Sequence, residues 1–533
     1  MNIDAEKINK LEQGLFVLLL IIHLVVIWTL DLFLTQDGPS HLYNSKLLID
    51  LVLNHNPELY GQFFVINTNL FPNWFSSVLL SVLLLLFEPI IAEKVLISIL
   101  SVCLPLVFRY TILKINENNS FLSLIAFFFA INYFLIYGFY NFCFSLIFLL
   151  LFIGLFHQYR QRVSIYSTIG MAVFLLLIYF SHPVALILSF LLIGFDSLFE
   201  GIQTGINRKF LVLLAHKCLM VSPSLILFLI FFFNSQGSDG QLFVNNFNLS
   251  AIAKLFTLRY FTVFNEYEFI VHLLLCLFIL LLFWRIPTKL VTKKTGIKSP
   301  YLLATIAVCL FMYFFVNDSL AGGGFLTRRL AFMVFFLTVI WLCQYEINNK
   351  LRRTSLIFIS LLSIILVAVR YPSQSKASTM ASEIDLIDQH IVDHSVILFV
   401  NLAQKGGAGD KQIARVRMFK HLIGYLASKK EVISIDNYEA NTQYFPINWQ
   451  GKTNPYPVVL DKNDSSNDPD WTQFDILKYR QVSNVVVNYV LIWGNESVVD
   501  SKFDRSKLQP ILDSGYKLTY STPSGMLKLY QLL

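Results

Sequence analysis

The stretch LFVLLLIIHLVVIWTLDLFL (residues 15–34) is a hydrophobic run of bilayer length, and TQDGPSH (residues 35–41) follows it directly. About 20 apolar residues in a helix match the roughly 30 Å of hydrocarbon in a membrane. The carboxylate of Asp37 and the imidazole of His41 would then lie at the edge of the bilayer, where ionisable groups are costly to place. We therefore interpret this loop as the part of the chain around which a functional site is organised.

Gly38-Pro39 predicts a sharp turn inside this loop, because Gly accepts almost any backbone angle and Pro fixes its own. The residues after the turn show the 3.6-residue periodicity of a helix. We expect Asp37 to cap the start of that helix while facing the water side of the membrane. The alternative is a turn residue that only ends the first span.

The composition of the whole chain is typical of a polytopic membrane protein. Its 533 residues are 56% hydrophobic and only 14% charged, with a mean hydropathy of +0.61. The net charge of +7 belongs to residues 1–370, since residues 371–533 hold 17 basic and 17 acidic side chains. A neutral C-terminal part argues against nucleic-acid binding. All six cysteines fall inside hydrophobic runs, so neither disulfides nor a cysteine-ligated metal is indicated.

Eleven hydrophobic runs predict about eleven transmembrane helices within a membrane domain of residues 1–370. After residue 370 the composition is that of a soluble domain, and strand and helix patterns alternate, which predicts a C-terminal α/β domain over residues 371–533. The runs cover residues 15–34, 90–113, 121–137, 142–156, 165–181, 183–199, 212–233, 269–284, 300–316, 326–343 and 354–369.

A further run, residues 71–87, decides the orientation. If it lies on the membrane surface and does not cross, 17 Lys and Arg side chains are cytoplasmic and 7 are outside. If it crosses, this distribution is inverted, so the positive-inside rule favours the surface position. The N-terminus is then cytoplasmic, and both the first outer loop (residues 35–89) and the C-terminal domain lie outside the cytoplasm.

Two adjacent arginines on the outer side, Arg328 and Arg329, run against this charge rule. A guanidinium binds phosphate oxygens in a planar fork, so we expect the pair to hold a lipid phosphate, with Lys94 in the same role. The alternative is that these side chains reach ordinary headgroups. His182, in Ser-His-Pro, is either a ligand or a residue packed at a helix break. The other outer-face candidates for substrate binding are Tyr140, Asn141, Arg259 and Asp318.

With these residues in place, the chain resembles the GT-C superfamily of membrane glycosyltransferases, in particular the bacterial branch of protein mannosyltransferases and lipid A aminoarabinose transferases. The similarity lies in a first span, an outer loop opening with an acid (Asp37), a surface helix, a basic residue before the next span, and a soluble outer domain. The chain departs from the family pattern in having one acid there and not an adjacent Asp-Glu pair.

The resemblance implies a bacterial inner-membrane enzyme with a periplasmic C-terminal domain. Such enzymes move a sugar from a polyprenyl-phosphate carrier to a glycan, lipid or protein acceptor, with inversion at the anomeric carbon. Asp37 is then the expected base, with His41 as the second catalytic candidate, because a hydroxyl is a poor nucleophile until a carboxylate takes its proton. Arg328 and Arg329 are expected to stabilise the departing phosphate. No cofactor is expected, and a divalent metal is not indicated.

Two other functions remain open at this stage. A lipid-linked oligosaccharide polymerase, ligase or flippase would use the same substrates, and a non-catalytic membrane scaffold would use the C-terminal domain to bind a partner. In that domain we predict strands at residues 395–401 and 484–493, helices at 411–429 and 507–513, and a hairpin of 516–520 with 526–532. Its aromatic residues could stack on sugar rings or form the core.

Overall fold

A computed structural model shows that hydrophobic helices form most of the chain. It describes residues 3–234, 241–285, 298–319, 323–407, 411–460, 469–495 and 508–533. The longer elements that correspond to the predicted spans are Ile3–Thr29, Pro89–Ile115, Glu117–Phe129 with Tyr133–Tyr137, Tyr140–Tyr159, Ile165–Ser181, Pro183–Thr204, Arg208–Asn234, Glu266–Arg285, Pro300–Phe315, Leu326–Leu342 and Asn349–Ala381.

Seven helical segments in the described part of the chain are long and apolar enough to cross a membrane. Large apolar side chains along them are exposed at the protein surface, as at Leu219, Ile226 and Ile230. Such a surface is stable in lipid and not in water. The structure is therefore compatible with a multi-pass helical membrane protein, and the count of eleven crossings stays a prediction. The seven segments are Glu6–Thr29, Pro89–Ile115, Glu117–Tyr137, Tyr140–Tyr159, Pro183–Thr204, Arg208–Asn234 and Asn349–His390.

The predicted span at residues 121–137 differs from an ordinary α-helix. Glu117–Phe129 has 3₁₀ hydrogen bonding with a kink at Asn119, where φ is −110° and ψ is 22°, and the short α-helix Tyr133–Tyr137 follows it. Long 3₁₀ runs are uncommon because their hydrogen bonds are poorly aligned. Nearly all of this segment is buried within the protein, and irregular backbone is tolerated at membrane depth only in such surroundings.

The run at residues 71–87 contains the helix Phe75–Leu84, which has ten residues. At 1.5 Å per residue it spans about 15 Å, half the thickness of the hydrocarbon core. It packs against the helix Gly38–Val52 through Ser81, whose hydroxyl donates to the carbonyl of Ser45 at 2.9 Å. This length fits a surface helix and not a crossing.

The C-terminal part contains a five-stranded mixed sheet, with strand order β3-β2-β5-β7-β6. The sheet strands are β2 (Val396–Asn401), β3 (Ile433–Ser434), β5 (Tyr489–Trp493), β6 (Tyr516–Ser521) and β7 (Leu527–Leu532), while β1 (Phe64–Ile66) and β4 (Ile447–Trp449) lie outside it. The shorter α-helices are Gly38–Val52, Pro57–Phe63, Phe75–Leu84, Leu249–Thr257, Ile423–Lys429, Tyr456–Val459, Ile476–Ser483 and Leu508–Gly515. The short 3₁₀ helices are Arg259–Phe261, Ser382–His390, Glu439–Asn441, Gly451–Thr453 and Trp471–Gln473.

The strands predicted near residues 395–401, 484–493, 516–520 and 526–532 are present, although β5 begins only at Tyr489. The predicted helix over 411–429 is wrong in its first part, since only Ile423–Lys429 is helical. The residues before Ile423 form hydrogen bonds with other parts of the chain. The backbone amide of Arg415 donates to the carbonyl of Val263, and that of Arg417 donates to the Gln36 side chain. These tertiary hydrogen bonds replace those of the predicted helix.

The C-terminal part docks directly on the first loop. β1 pairs antiparallel with β4, and the side-chain amides of Asn44 and Asn437 donate to each other, both at 2.9 Å. The hydroxyl of Tyr43 donates to the carbonyl of Val432 at 3.1 Å. The first loop and the sheet therefore lie on the same side of the membrane helices.

Gly424 makes this docking possible. A Cβ at this position would lie 2.1 Å from the carbonyl oxygen of Pro39 and 2.4 Å from its carbon, and backbone atoms cannot move aside cheaply. We expect Gly424→Ala to lower the apparent unfolding temperature of the purified protein, at a cost of about 1–3 kcal/mol typical of overpacking. Gly515→Ala is the matched control, since a Cβ there meets nothing within 4 Å. An equal fall in unfolding temperature in the two variants would show that the close contact with Pro39 is not the cause.

Candidate functional site

The loop at residues 35–41 is fixed by backbone hydrogen bonds to the corner that follows the helix Tyr133–Tyr137. The amide of Gln36 donates to the carbonyl of Ile136 at 2.9 Å, and that of Asp37 donates to Tyr137 at 3.2 Å. Gly138 completes the corner with a φ of +88°, and a Cβ there would lie 2.7 Å from the Asp37 nitrogen. Only glycine combines this angle with this approach at low cost.

Gly38 allows the loop to turn into the helix Gly38–Val52. A Cβ on Gly38 would lie between 2.1 and 2.3 Å from the side-chain oxygens of Thr35, Glu93 and Tyr140. Asp37 occupies the N-cap position as predicted, but its side chain makes no capping hydrogen bond. It accepts from the Gln36 amide at 3.0 Å instead and faces a cavity.

Each ring nitrogen of His41 contacts an oxygen atom, and one of these contacts is an ion pair. Its Nε2 donates to the carbonyl of Gly138 at 2.9 Å, and its Nδ1 lies 3.0 Å from Oε1 of the fully buried Glu439. A carbonyl oxygen can only accept a hydrogen bond, so Nε2 must carry a proton. When Nδ1 is protonated as well, the imidazole is positively charged and attracts the Glu439 carboxylate. Burial would lower the pKa of His41, but Glu439, Asp37 and the Gly138 carbonyl together raise it to about 9. His41 is thus a bound cation at neutral pH, and we assign it a positioning role and not that of a base.

The His41–Glu439 pair makes stability depend on pH. Because the pKa of His41 rises from 6.5 to about 9 on folding, its stabilisation is complete below pH 6.5 and is lost as the pH rises through about 9. We expect Glu439→Gln to lower the apparent unfolding temperature at pH 6, and the difference from wild type to shrink by pH 10. Glu431→Gln, at the exposed His394–Glu431 pair, is the control and should change little at either pH. A pH-independent effect of Glu439→Gln would rule out the ion pair.

A cavity of about 480 Å³ lies between the first loop, the membrane helices and the C-terminal part. It brings together six residues predicted for the site, namely Asp37, His41, Tyr140, Asn141, His182 and Arg329. We name it the membrane cavity. The other lining residues are Gln36, Asn73, Tyr137, Phe139, Phe142, Pro183, Val184, Ile187, Leu188, Phe228, Phe231, Phe232, Met312, Gly323, Gly324, Phe325, Leu326, Arg417, Lys420, Tyr438, Thr442, Tyr444 and Phe445.

The charged lining of the membrane cavity has an excess of positive charge. Arg329, Arg417, Lys420 and the protonated His41 face it, and Asp37 is the one carboxylate among the described lining residues. The Arg329 guanidinium is nearly buried and lies 5.0 Å from the ring of Phe139, with Nη1 donating to the Gly324 carbonyl at 2.6 Å. Its Nε has no hydrogen-bond partner among the described residues. This arrangement suits an anion with several oxygens, such as a phosphate.

Part of the wall of the membrane cavity is apolar. It is formed by the helices Pro183–Thr204 and Arg208–Asn234, which contribute Val184, Ile187, Leu188, Phe228, Phe231 and Phe232. A cavity that combines cations with an apolar wall is complementary to an amphiphile with a charged headgroup.

Asp37 is chemically suited to accept a proton. Burial raises its pKa, while Lys420, His41 and the Gln36 amide act in the other direction and Glu439 adds to the rise. A carboxylate of raised pKa is a stronger base than an exposed one. His421 Nε2 lies 3.7 Å from Asp37 Oδ1, and burial lowers the pKa of His421 well below its usual value.

Three predicted ligands that do line the cavity also hold the fold together. The side chain of Asn141 accepts from the Ser76 amide at 2.8 Å and donates to the Asn73 carbonyl at 2.9 Å. Tyr140 donates to Glu93 at 2.7 Å. His182 lies at the helix break between Ser181 and Pro183, as one alternative predicted, and its Nδ1 accepts from the Val184 amide at 3.2 Å.

The structure does not bring Arg328 and Lys94 into the lining of the membrane cavity. Arg328 donates to the Tyr133 hydroxyl and lies over the rings of Tyr133 and Phe325. Lys94 donates to the carbonyl of Leu30, with its Nζ 5.8 Å from the Trp28 ring. Within the described chain, aromatic rings and the Tyr133 and Leu30 oxygens surround these two cations.

Asp318 and Arg259 also lie outside this lining. Asp318 accepts from the amides of Leu326 and Thr327, at 3.1 and 2.8 Å, and so caps the helix Leu326–Leu342. Arg259 lies 3.5 Å from Glu266 in an exposed ion pair. Their roles in the structure are local.

Five site residues were not predicted from the sequence: Glu93, Arg417, Lys420, His421 and Glu439. Four of them belong to the C-terminal part and reach the site only because that part docks on the first loop. In the linear sequence these four belong to no recognisable motif, whereas Glu93 lies inside the hydrophobic run 90–113, where an acidic residue is itself a signal of function.

Comparison with other proteins does not assign a family. No family model matches the chain, and a search of curated proteins gives no significant match. Within the described residues, no group of three or more His, Cys, Asp or Glu side chains is arranged to hold a metal ion. The residues of the membrane cavity therefore provide the evidence for function.

Proposed function

We propose that this protein is a glycosyltransferase of the GT-C type, which transfers a sugar from a polyprenyl-phosphate carrier to an acceptor. The observation that carries the proposal is the composition of the membrane cavity. One carboxylate, four cations (His41, Arg329, Arg417 and Lys420) and an apolar wall meet in one space at the edge of the membrane helices. A lipid-linked sugar has the matching parts: a polyprenyl chain for the wall, a phosphate for the cations and a sugar beside the carboxylate.

Asp37 is the proposed base. It takes the proton from the acceptor hydroxyl as that oxygen forms its bond to the anomeric carbon. The bond between this carbon and the phosphate oxygen breaks at the same time, and the electron pair leaves with the lipid phosphate. Arg329 stabilises the charge that gathers there, with Arg417 and Lys420 nearby in the same cavity. His41, fixed by Glu439, keeps a positive charge close to Asp37 and so favours its ionised form.

We also propose that the site faces the periplasm of a bacterial inner membrane, with the N-terminus in the cytoplasm. The distribution of Lys and Arg favours this orientation. Single cysteines placed at exposed Tyr166, in the first turn of the helix Ile165–Ser181, and at exposed Leu386, in the 3₁₀ helix Ser382–His390, test it in a cysteine-free background. A membrane-impermeant thiol reagent added to intact spheroplasts should label position 386 and not 166; the reverse pattern would overturn the orientation.

The direct test of function is transfer by the purified protein in proteoliposomes. Polyprenyl monophosphate carrying a radiolabelled hexose or aminosugar is the donor, and an extract of cell-envelope glycans and lipids provides acceptors. We expect label in the acceptor fraction together with stoichiometric release of polyprenyl phosphate. A protein that neither transfers nor hydrolyses any such donor, yet retains its fold, would contradict the proposal.

A polymerase, ligase or flippase for lipid-linked oligosaccharides is the second candidate, since the same cavity would suit its lipid. A flippase moves its substrate without breaking a bond, so it would translocate a fluorescent lipid-linked sugar equally well with Asp37→Asn. A non-catalytic scaffold would tolerate the loss of Asp37 and Arg329 alike. The amphiphilic cavity favours the transferase over the scaffold.

A further inference from the structure

The side chain of Gln36 forms a bridge between the C-terminal part of the chain and the proposed base. Its Nε2 donates to Oδ1 of Asp37 at 3.0 Å, and its Oε1 accepts from the backbone amide of Arg417 at 3.1 Å. Gln36 is only 2% exposed, and its own backbone amide donates to the carbonyl of Ile136 at 2.9 Å. The residue is therefore fixed at its backbone and at both polar atoms of its side chain.

The contact with Arg417 decides which way the Gln36 amide points. The oxygen and the nitrogen of a glutamine side chain are assigned from their hydrogen-bond partners. A backbone N–H can only donate, so the atom that faces Arg417 is the oxygen, and the NH₂ group faces Asp37. With the two groups exchanged, an oxygen would face the carboxylate, and only a protonated Asp37 could form a hydrogen bond with it.

Gln36 acts on a carboxylate that would otherwise cap a helix. An Asp at an N-cap position normally accepts from the backbone amide of the second or third helical residue. In the helix Gly38–Val52 the second residue is Pro39, which has no amide hydrogen, and Asp37 makes no capping hydrogen bond. The Asp37 side chain lines the membrane cavity instead. The proline removes one competing donor, and the Gln36 amide supplies a donor on the side of the cavity.

We propose that Gln36 is a positioning residue for the base, and that docking of the C-terminal part sets its orientation. This inference rests on the proposed function, in which Asp37 takes the proton of the acceptor hydroxyl. A carboxylate has about four acceptor positions, and Gln36 uses one of them, so the ionised carboxylate is stabilised and can still receive the proton. Before the C-terminal part docks, the Arg417 amide is not in place and the Gln36 amide can take either orientation. Asp37 thus reaches its active arrangement only in the complete structure.

The pKa of Asp37 reports on this hydrogen bond. Burial raises that pKa, whereas Lys420, His41 and the hydrogen bond from Gln36 lower it. A substitution of Gln36 leaves the other titratable groups around Asp37 in place, so a change in the pKa measures the hydrogen bond itself. These other groups are His41, Tyr137, Lys420, His421, Tyr438 and Glu439.

Infrared spectroscopy measures this pKa without any substrate. Difference spectra of the full-length protein in detergent, recorded over a pH titration, contain the carboxyl band of Asp37, which is identified as the band that Asp37→Asn removes. Gln36→Met keeps the length of the side chain but donates no hydrogen bond. It should raise the pKa of Asp37 by about one unit, the effect of one hydrogen bond to a charged group.

Gln36→Glu should raise the pKa of Asp37 further than Gln36→Met does. The new carboxylate would face the carboxylate of Asp37, and two such groups in contact cannot both be ionised easily. Gln481→Glu, at an exposed position on the helix Ile476–Ser483, is the control for the added charge and should leave the pKa of Asp37 unchanged.

Hydrogen exchange at Arg417 tests the other half of the bridge. In Gln36→Met the Arg417 amide loses its acceptor and should exchange faster than in wild type. Gln36→Glu keeps an acceptor oxygen and should preserve the protection. The amide of Arg415, which donates to the carbonyl of Val263, is the internal control and should stay protected in both variants. Mass spectrometry of overlapping peptides around residue 417 measures the exchange.

The bridge and the proposed function can fail separately. A raised pKa of Asp37 in both Gln36 variants, with faster exchange at Arg417 in Gln36→Met, supports the bridge even if no sugar transfer is found. An unchanged pKa in both variants, or unchanged exchange at Arg417 in Gln36→Met, overturns it even if wild type transfers sugar. Where transfer is measured, the acid limb of the kcat/KM profile should move to higher pH in Gln36→Met. An equal loss of rate at every pH would show a merely structural role for Gln36 and overturn the inference.

Discussion

Asp37→Asn is expected to reduce sugar transfer by about 10²–10⁴-fold, the range that a positioned general base contributes. The amide has nearly the shape of the carboxylate but cannot take the acceptor proton. The side chain makes no capping hydrogen bond to the helix Gly38–Val52, so the substitution should leave the fold intact. Release of polyprenyl phosphate from a radiolabelled donor in proteoliposomes measures the effect.

Asp31→Asn is the matched control for this prediction. Asp31 is exposed, belongs to the end of the same first span, and does not line the membrane cavity. We expect it to transfer sugar at the wild-type rate. Full activity of Asp37→Asn, or an equal loss in both variants, would remove Asp37 as the base.

Arg329→Gln is expected to lower kcat by about 10²–10³-fold, as the loss of one charge-stabilising donor does in other active sites. The guanidinium is nearly buried and lines the cavity, with its Nε unpaired among the described residues. Its effect should be larger on kcat than on the donor KM, because the phosphate gains its charge as the bond to the sugar breaks.

Arg328→Gln gives the sharpest comparison, because it removes the same charge one residue earlier. Arg328 lies over the Tyr133 and Phe325 rings, outside the cavity lining. We expect it to lower the apparent unfolding temperature more than Arg329→Gln does, and kcat far less. Equal kinetic losses in the two variants would show that the charge acts at long range and not by contact with the phosphate.

The sequence could not distinguish these two arginines. The position of the pair at the start of a helix predicts that both arginines lie near the membrane edge. Because consecutive residues of an α-helix point about 100° apart, only one of them faces the cavity, and the sequence does not indicate which one. That choice depends on the neighbouring rings of Phe139 and Tyr133. Hydrophobic length, by contrast, is a property of each segment alone. For this reason the positions of the long hydrophobic helices could be predicted, whereas the 3₁₀ segment Glu117–Phe129 could not.

In the candidate site, too, local sequence features could be predicted and long-range contacts could not. Asp37 and its loop stand out in the sequence because a carboxylate next to a span is unusual. Glu439 becomes important only when it lies 3.0 Å from His41, almost four hundred residues earlier in the chain. The segment before Ile423 has helical periodicity, yet hydrogen bonds to Val263 and Gln36 hold it in another conformation. Long-range packing of this kind overrides local preference.

The pairing of β1 with β4 has a consequence for biosynthesis. The ribosome completes β1 early, and β4 leaves it only after every membrane helix has been made. Until then the first loop has an open strand edge, which is prone to join other chains. Nascent chains that stall before residue 447 should accordingly aggregate or be degraded. Co-expression of the missing C-terminal fragment, as a separate polypeptide, should rescue them by supplying the absent strand.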